Sequence, residues 1–339
     1  MNLNIGDLVG RKSHGLDILF KIESFSADGK TVYLKGTDLR LIADAPYEDL
    51  ELLNAGEINR HRQKYIRKSS EILTKLQKHR LRNVDNFLSR AKINYKKNLR
   101  EPEIFELPGS VLHIDGDKEY LNLCMNTYRQ LNIKAVGFCV NECEQANVIK
   151  DYLLEYMPDI LILTGHDGIL KGRKNFSNLE NYRNSANFVR AVKKARELIP
   201  GRDDLIIFAG ACQSHYESLI NAGANFASSP RRVLIHAYDP VFIAEKVAYT
   251  PFYQLINIKE AINDTITGTD GLGGIETHGR LRLGYPKLCC SLDQQLVYFI
   301  KLICFCQELF SSFLKQFLQP AAATRLRTRF FCFKRTHSL

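Results

Sequence analysis

Apolar residues fall along this chain in three rhythms. Up to about residue 55 they come in short runs broken by turn residues: Asp7-Leu8-Val9-Gly10, Ile18-Leu19-Phe20-Lys21-Ile22, Thr31-Val32-Tyr33-Leu34 and Leu39-Arg40-Leu41-Ile42. Such runs predict strands, and Asp28-Gly29 predicts a hairpin turn. Segment 1–55 is therefore expected to form a small SH3-like β-barrel used for docking. Between 56 and 100 the rhythm changes. Ile58, Tyr65, Ile66, Ile72, Leu73, Leu76, Leu81, Val84, Phe87, Leu88 and Ile93 recur at loosely helical spacing. One long amphipathic helix, or two, is predicted within a linker over 56–107.

From Pro108 onward the apolar runs stop alternating. Segments 111–115, 135–140, 159–165, 204–210 and 233–237 are short, aliphatic and β-branched. Runs of this kind predict strands buried on both faces of a parallel sheet. Helices are expected at about 118–131, 145–156, 179–198, 241–248 and 258–265. Strand alternating with helix predicts an α/β fold with right-handed crossovers over 108–287. The last stretch, 288–339, is rich in Phe, Leu and Cys, with only Asp293 and Glu308 as acids. It reads equally as an apolar helix face or as sequence foreign to the rest of the chain.

Charge changes this picture in one place. Of the net +10, the stretch from Glu57 to Arg100 carries +11, with 14 Lys and Arg against Glu57, Glu71 and Asp85, so the remainder stands at −1. A basic helix suggests nucleic acid. No aromatic-rich nucleic-acid motif accompanies it, so a solvated linker that attracts acidic partners is the favoured reading. Cys124, Cys139, Cys143 and Cys212 are sparse and unpaired in pattern, which suits a reducing cytoplasm. Cys139 and Cys143 lack a second pair at zinc spacing, so neither metal nor cofactor is expected. No apolar stretch of signal-peptide or membrane-spanning type is found, and a cytoplasmic location is expected.

The chemistry gathers where two of the predicted strands end. The run 159–165 leads into His166-Asp167-Gly168, and 204–210 leads into Ala211-Cys212-Gln213-Ser214. Ligands of parallel sheets collect at the carboxyl ends of strands. A Cys that follows a His by 46 residues leaves room for one crossover helix, an order and spacing that fit caspase-like cysteine proteases. Cys212 is then the nucleophile and His166 the acid/base. Gly168 and Gln213 would line the substrate path, Asp167 would orient the loop or bind substrate, and Ser214 would cap the next helix. His215 and His236 are rival bases. Another Cys-dependent hydrolase, of the glutamine amidotransferase type, would instead pair Cys212 with His278 beside Glu276. A non-enzymatic scaffold or nucleic-acid binder is the third reading.

Long blocks surround these residues: IGDLVGRKS (5–13), RLIAD (40–44), PGSVLHIDGD (108–117), LTGHDG (163–168), IIFAGACQSHYESLINAGANFASSPRRV (206–233) and GLGGIETHGRLRLG (271–284). In this order, over residues 1–287, they resemble the YabG family of sporulation-specific proteases of spore-forming bacteria. The resemblance implies a cysteine endopeptidase of the caspase/clostripain-like clan. It would process spore-coat and related proteins in the mother cell, cleaving near arginine. In such enzymes the end of the first strand reads the residue before the scissile bond. Asp115 occupies that place, with Asp117 close by, and an acid there favours Arg or Lys. The competing role is a cap on the next helix, since Asp117 precedes Lys118. A glycine directly follows the His in that clan; here Asp167 intervenes, which leaves the backbone N–H of Cys212 as the one oxyanion donor named. An arginine-preferring enzyme with an arginine-rich linker is also expected to clip itself between about residues 75 and 103.

Overall fold

A computed structural model describes residues 3–90 and 105–284, with backbone alone over 84–90. The predicted tail helix within 288–339 and the end of the linker lie outside the described residues. The first strands are β1 (Leu8–Arg11), β2 (Phe20–Phe25), β3 (Thr31–Gly36), β4 (Ile42–Pro46) and β5 (Leu50–Leu52). They form an antiparallel sheet in the order β4-β3-β2-β1-β5. Val9, Phe20, Ile22, Val32, Leu34, Ala45 and Leu50 make its core. The Asp28-Gly29 hairpin turn lies between β2 and β3, with Gly29 at φ +68°. The strand expected at 39–42 starts only at Ile42. Residues 36–41 turn tightly instead, closed by Gly36 N–H on the Leu41 carbonyl at 2.8 Å. A Cβ on Gly36 would lie 2.5 Å from the Leu39 oxygen, so this turn needs glycine there.

Helix α1 (Ala55–Arg90) is one helix rather than two. It starts with a reciprocal cap: Asn54 Oδ1 accepts from Glu57 N–H, and Glu57 Oε2 accepts from Asn54 N–H. Ile72 and Leu76 bury against Phe242 and Ile266. Arg80 donates to the buried Glu245 at 2.6 Å and lies over the Tyr249 ring at 3.3 Å. Within the stretch expected to be clipped, Leu76, Arg80 and Asn83 pack against the rest of the protein, Asn83 through its amide on the Tyr249 carbonyl.

The elements that follow are β6 (Phe105–Leu107), β7 (Val111–Asp115), α2 (Lys118–Gln130), β8 (Ala135–Cys139), α3 (Gln145–Tyr156), β9 (Ile160–Thr164), α4 (Ser185–Leu198), β10 (Ile206–Ala209), α5 (Tyr216–Ala222), β11 (Phe226–Ser228), α6 (Asp239–Tyr249), α7 (Ile258–Asn263), β12 (Leu272–Gly274) and β13 (Arg282–Gly284). The central sheet runs β12-β11-β10-β9-β7-β8. It is parallel from β8 to β11, with β12 antiparallel at the edge. β6 and β13 pair separately. Side chains alternate across the central sheet: Ile160, Ile162, Ile206 and Phe208 face α2 and α6, while Leu161, Leu163, Ile207 and Ala209 face α3 and α4. Burial on both faces explains the unbroken apolar runs.

The fifth parallel strand is β11, not 233–237. Phe226-Ala227-Ser228 is too short and polar to read as a strand by pattern, while the run 233–237 is apolar for a different reason: Ile235 and Ala237 bury at the sheet's carboxyl edge. Among the described residues, no helix is long and apolar enough to cross a membrane.

Candidate active site

From β8 the chain crosses over β7 to β9, so the loops after β7 and β9 leave toward opposite faces. In open parallel sheets such a switch point is the usual place of a ligand crevice. Asp115 of β7 pairs with Thr164 of β9, and Leu163 of β9 with Ala209 of β10. His166 and Cys212 each follow that last pair by three residues, at one edge of the sheet.

His166 is fixed on three sides. Its Nε2–H donates to Asp117 Oδ2 at 2.9 Å, its backbone N–H to Glu142 Oε1 at 2.6 Å, and its carbonyl accepts from Asn184 Nδ2 at 2.8 Å. Tyr120 packs edge-on against the ring. Nδ1 is buried without a hydrogen-bond partner among the described residues. Glu142 approaches so closely because Gly116 and Gly165 lack side chains; a Cβ on either would sit 2.2 Å from its Oε1.

Asp117 caps α2, accepting from the N–H groups of Glu119 and Tyr120, and meets Lys35 Nζ of β3 at 2.7 Å. Burial by itself would raise its carboxyl, but the bonds from His166 and Lys35 outweigh it and hold Asp117 well below the usual carboxylate range. Burial likewise disfavours the Lys35 ammonium, and Asp117 with Glu119 more than offsets this, raising it.

Asp167 joins two loops. It accepts from Gly168 N–H (2.8 Å), Asn184 N–H (2.8 Å), Ser185 Oγ (2.5 Å) and Ser214 Oγ (2.8 Å). Ser214 Oγ in turn accepts from Ala211 N–H, and Ser185 Oγ from His215 N–H. The carboxylate ties the loop after β9 to the loop after β10, and so sets His166 relative to Cys212. Burial raises its pKa against the pull of these bonds. Ser214 does not cap α5; His215 does, its side chain accepting from Ser218 N–H, because the Ser214 hydroxyl is taken by Asp167. Gln213 has φ +55° and gives its N–H to the Val233 carbonyl. A Cβ on Gly168 would lie 3.5 Å from Gln213 Oε1, so these two residues meet between the loops.

Cys212 is only 1% exposed and packs within the apolar cluster of Phe208, Phe226 and Ile235. Its Sγ accepts from Ile235 N–H at 3.2 Å. Burial pushes the thiol up to about 12, with the Ile235 bond opposing, so Cys212 is neutral in this arrangement. Asp115 is fully buried and engaged by Arg40 Nη1 (2.6 Å), Thr164 Oγ1 (2.9 Å) and Asp117 N–H (2.9 Å). Burial favours its neutral form, but Arg40 and His113 prevail and keep the carboxyl below its usual range. It does not cap α2.

The rival histidines stand elsewhere. His215 has both ring nitrogens occupied, by Ser218 N–H and the Ser177 carbonyl. His236 does not end a strand: it packs against Tyr65 and Tyr238, and burial lowers it to about 3. His278 gives its N–H to Asp203, which precedes β10, whereas Cys212 follows β10. The amidotransferase-like pairing of Cys212 with His278 therefore fails on geometry. Sequence reasoning missed Lys35, Arg40, Tyr120 and Glu142. Arg40 belonged to a noticed block, but nothing local tied it to Asp115.

The family described as YabG peptidase U57 matches residues 4–286. The "Sporulation-specific protease YabG" of Bacillus subtilis (strain 168) is 42% identical over 292 residues, covering 84% of this chain and 99% of that protein.

Proposed function

The chain belongs to the YabG peptidase family, and from there we propose that it is a sporulation cysteine endopeptidase cutting spore-coat and related proteins, with preference for the bond after arginine. One observation supports the reading: the His166 imidazole, held at Nε2 by ionised Asp117 and bare at Nδ1 among the described residues, follows the strand β9 that lies beside the one leading to Cys212. In the proposed reaction Nδ1 of His166 takes the Cys212 proton. The thiolate attacks the scissile carbonyl carbon, and His166 returns the proton to the departing amine. Water then opens the thioester and regenerates the thiol. Cys212 N–H is the proposed oxyanion donor. Asp117 acts here as the residue that positions His166 rather than as a substrate ligand. Gly168 and Gln213 flank the substrate path. The basic α1 is proposed as a packed arm, with nucleic acid no partner and the mother-cell cytoplasm as the site of action.

The test is incubation of the purified chain with spore-coat protein beside its Cys212→Ala variant, with new amino termini mapped. New termini after arginine only with the unaltered protein are expected. Equal cutting by Cys212→Ala would end the reading.

A further inference from the structure

The β3–β4 turn packs against the carboxyl edge of the central sheet. Arg40 at its tip is fully buried. Nη1 donates to Asp115 Oδ2 at 2.6 Å; Nη2 lies 3.3 Å from Cys124 Sγ and 3.4 Å from the Ala237 carbonyl; the guanidinium faces the Tyr120 ring at 5.3 Å. The main chain around it lies antiparallel to 235–237. Arg40 N–H donates to the Ile235 carbonyl at 3.2 Å, Ala237 N–H donates to the Asp38 carbonyl at 2.8 Å, and Leu39 bridges His236. This short ladder belongs to neither sheet. It is the manner in which an extended peptide docks on an open backbone edge, main chain for affinity and a pocket for the side chain. Ile235, which accepts from Arg40, gives its own N–H to Cys212 Sγ. A single residue therefore links the arginine's backbone to the thiol.

We infer that Arg40 is an internal ligand of the Cys212 site, and that the pocket ended by Asp115 is a guanidinium subsite which the β3–β4 turn fills in place of substrate. The inference rests on the reading of Cys212 as the nucleophile. Its physical basis is the cost of the empty state. Asp115 has no exposure, and a buried carboxylate stripped of its cation is strongly disfavoured. The turn withdraws easily only when another guanidinium arrives. Restraint of the thiol and choice of substrate thus become one equilibrium. Lysine is a poorer replacement, since one ammonium does not reproduce the fork that reaches Asp115, Cys124 and the Ala237 carbonyl together. The turn is held from outside as well: the Tyr120 hydroxyl lies 2.5 Å from the Gly36 carbonyl and 2.6 Å from that of Leu39.

The rate of Cys212 alkylation by iodoacetamide, located by peptide mass, tests this in the full chain. The proteins are the unaltered one, Arg40→Lys, which keeps a cation against Asp115, and Arg40→Gln. We expect about 10-fold faster labelling in Arg40→Lys and a larger gain in Arg40→Gln. A short peptide amide ending in arginine should slow the variants back toward the unaltered rate, and its leucine counterpart should not. A mere strut between the two sheets would give no such selective protection. Unchanged labelling, acceleration that the arginyl peptide does not reverse, or loss of fold in both variants by circular dichroism would overturn the inference. Labelling does not require turnover, so its outcome is separate from peptidase loss in Cys212→Ala, which judges the nucleophile itself.

Discussion

His166 and Cys212 occupy equivalent places, each three residues past the Leu163–Ala209 pair, yet their surroundings are opposite. Around His166 lie Asp117, Lys35, Glu142 and Asn184, each bonded to the imidazole, to its backbone or to its partner. Around Cys212 lie Phe208, Phe226 and Ile235, with one backbone N–H on the sulfur. The imidazole is held by polar and charged groups; the thiol is packed away. On the proposed mechanism, proton transfer draws on groups already in position, whereas nucleophilicity requires that Cys212 be uncovered. On that mechanism, control of the site belongs to the nucleophile's side.

The hardest test of this contrast removes each side in turn. Cys212→Ala and His166→Ala should each lower kcat/KM on a protein substrate by at least about 10⁴-fold while circular dichroism stays unchanged. Activity surviving in either would break the pairing. Next, Asp117→Asn keeps the shape beside His166 but not the charge. It should reduce kcat by about 10²-fold or more and leave KM nearly unaltered. A change confined to KM would return Asp117 to the substrate. Asp167→Asn bears on the staple between the loops. Replacing an acceptor of four bonds should destabilise the fold by roughly 1.5–3 kcal/mol in urea titration and cut kcat about 10-fold; intact stability would mean that the loops are set elsewhere.

The smallest effect concerns acid. The carboxyl of Asp117 is lower folded than its ordinary 3.8, so its contribution is present above that value and is lost as pH falls below it toward the folded value. Thermal melts between pH 6 and pH 2.5 should therefore show a steeper decline for the unaltered chain than for Asp117→Asn. Parallel declines would show that Lys35 and His166 do not hold that charge.

Much of this molecule was legible from pattern. The helix α3 falls where its spacing put it, over 145–156, and the unbroken runs before His166 and Cys212 are strands β9 and β10. Local physics suffices for these, since burial on both faces forces an apolar run and a helix repeats its buried face every few residues. Short strands such as Phe226–Ser228 were invisible, because three residues carry no period. The partner of Asp115 was invisible too. Arg40 is 75 residues away, and a buried ion pair leaves no trace in local composition. The same holds for Lys35 on Asp117, 82 residues apart.

The amino-acid sequence alone determined the strands that lead to the histidine and the cysteine, and the acids at and just past the end of β7. Only the tertiary structure decided what those groups face: an imidazole with one nitrogen bare among the described residues, a thiol sealed in apolar packing, and an arginine from the turn between β3 and β4 lodged against Asp115. A chain's own pattern records which side chains are buried, because burial selects residue type position by position. It does not record which distant charge meets which, because that pairing is set by how the sheets come together in space.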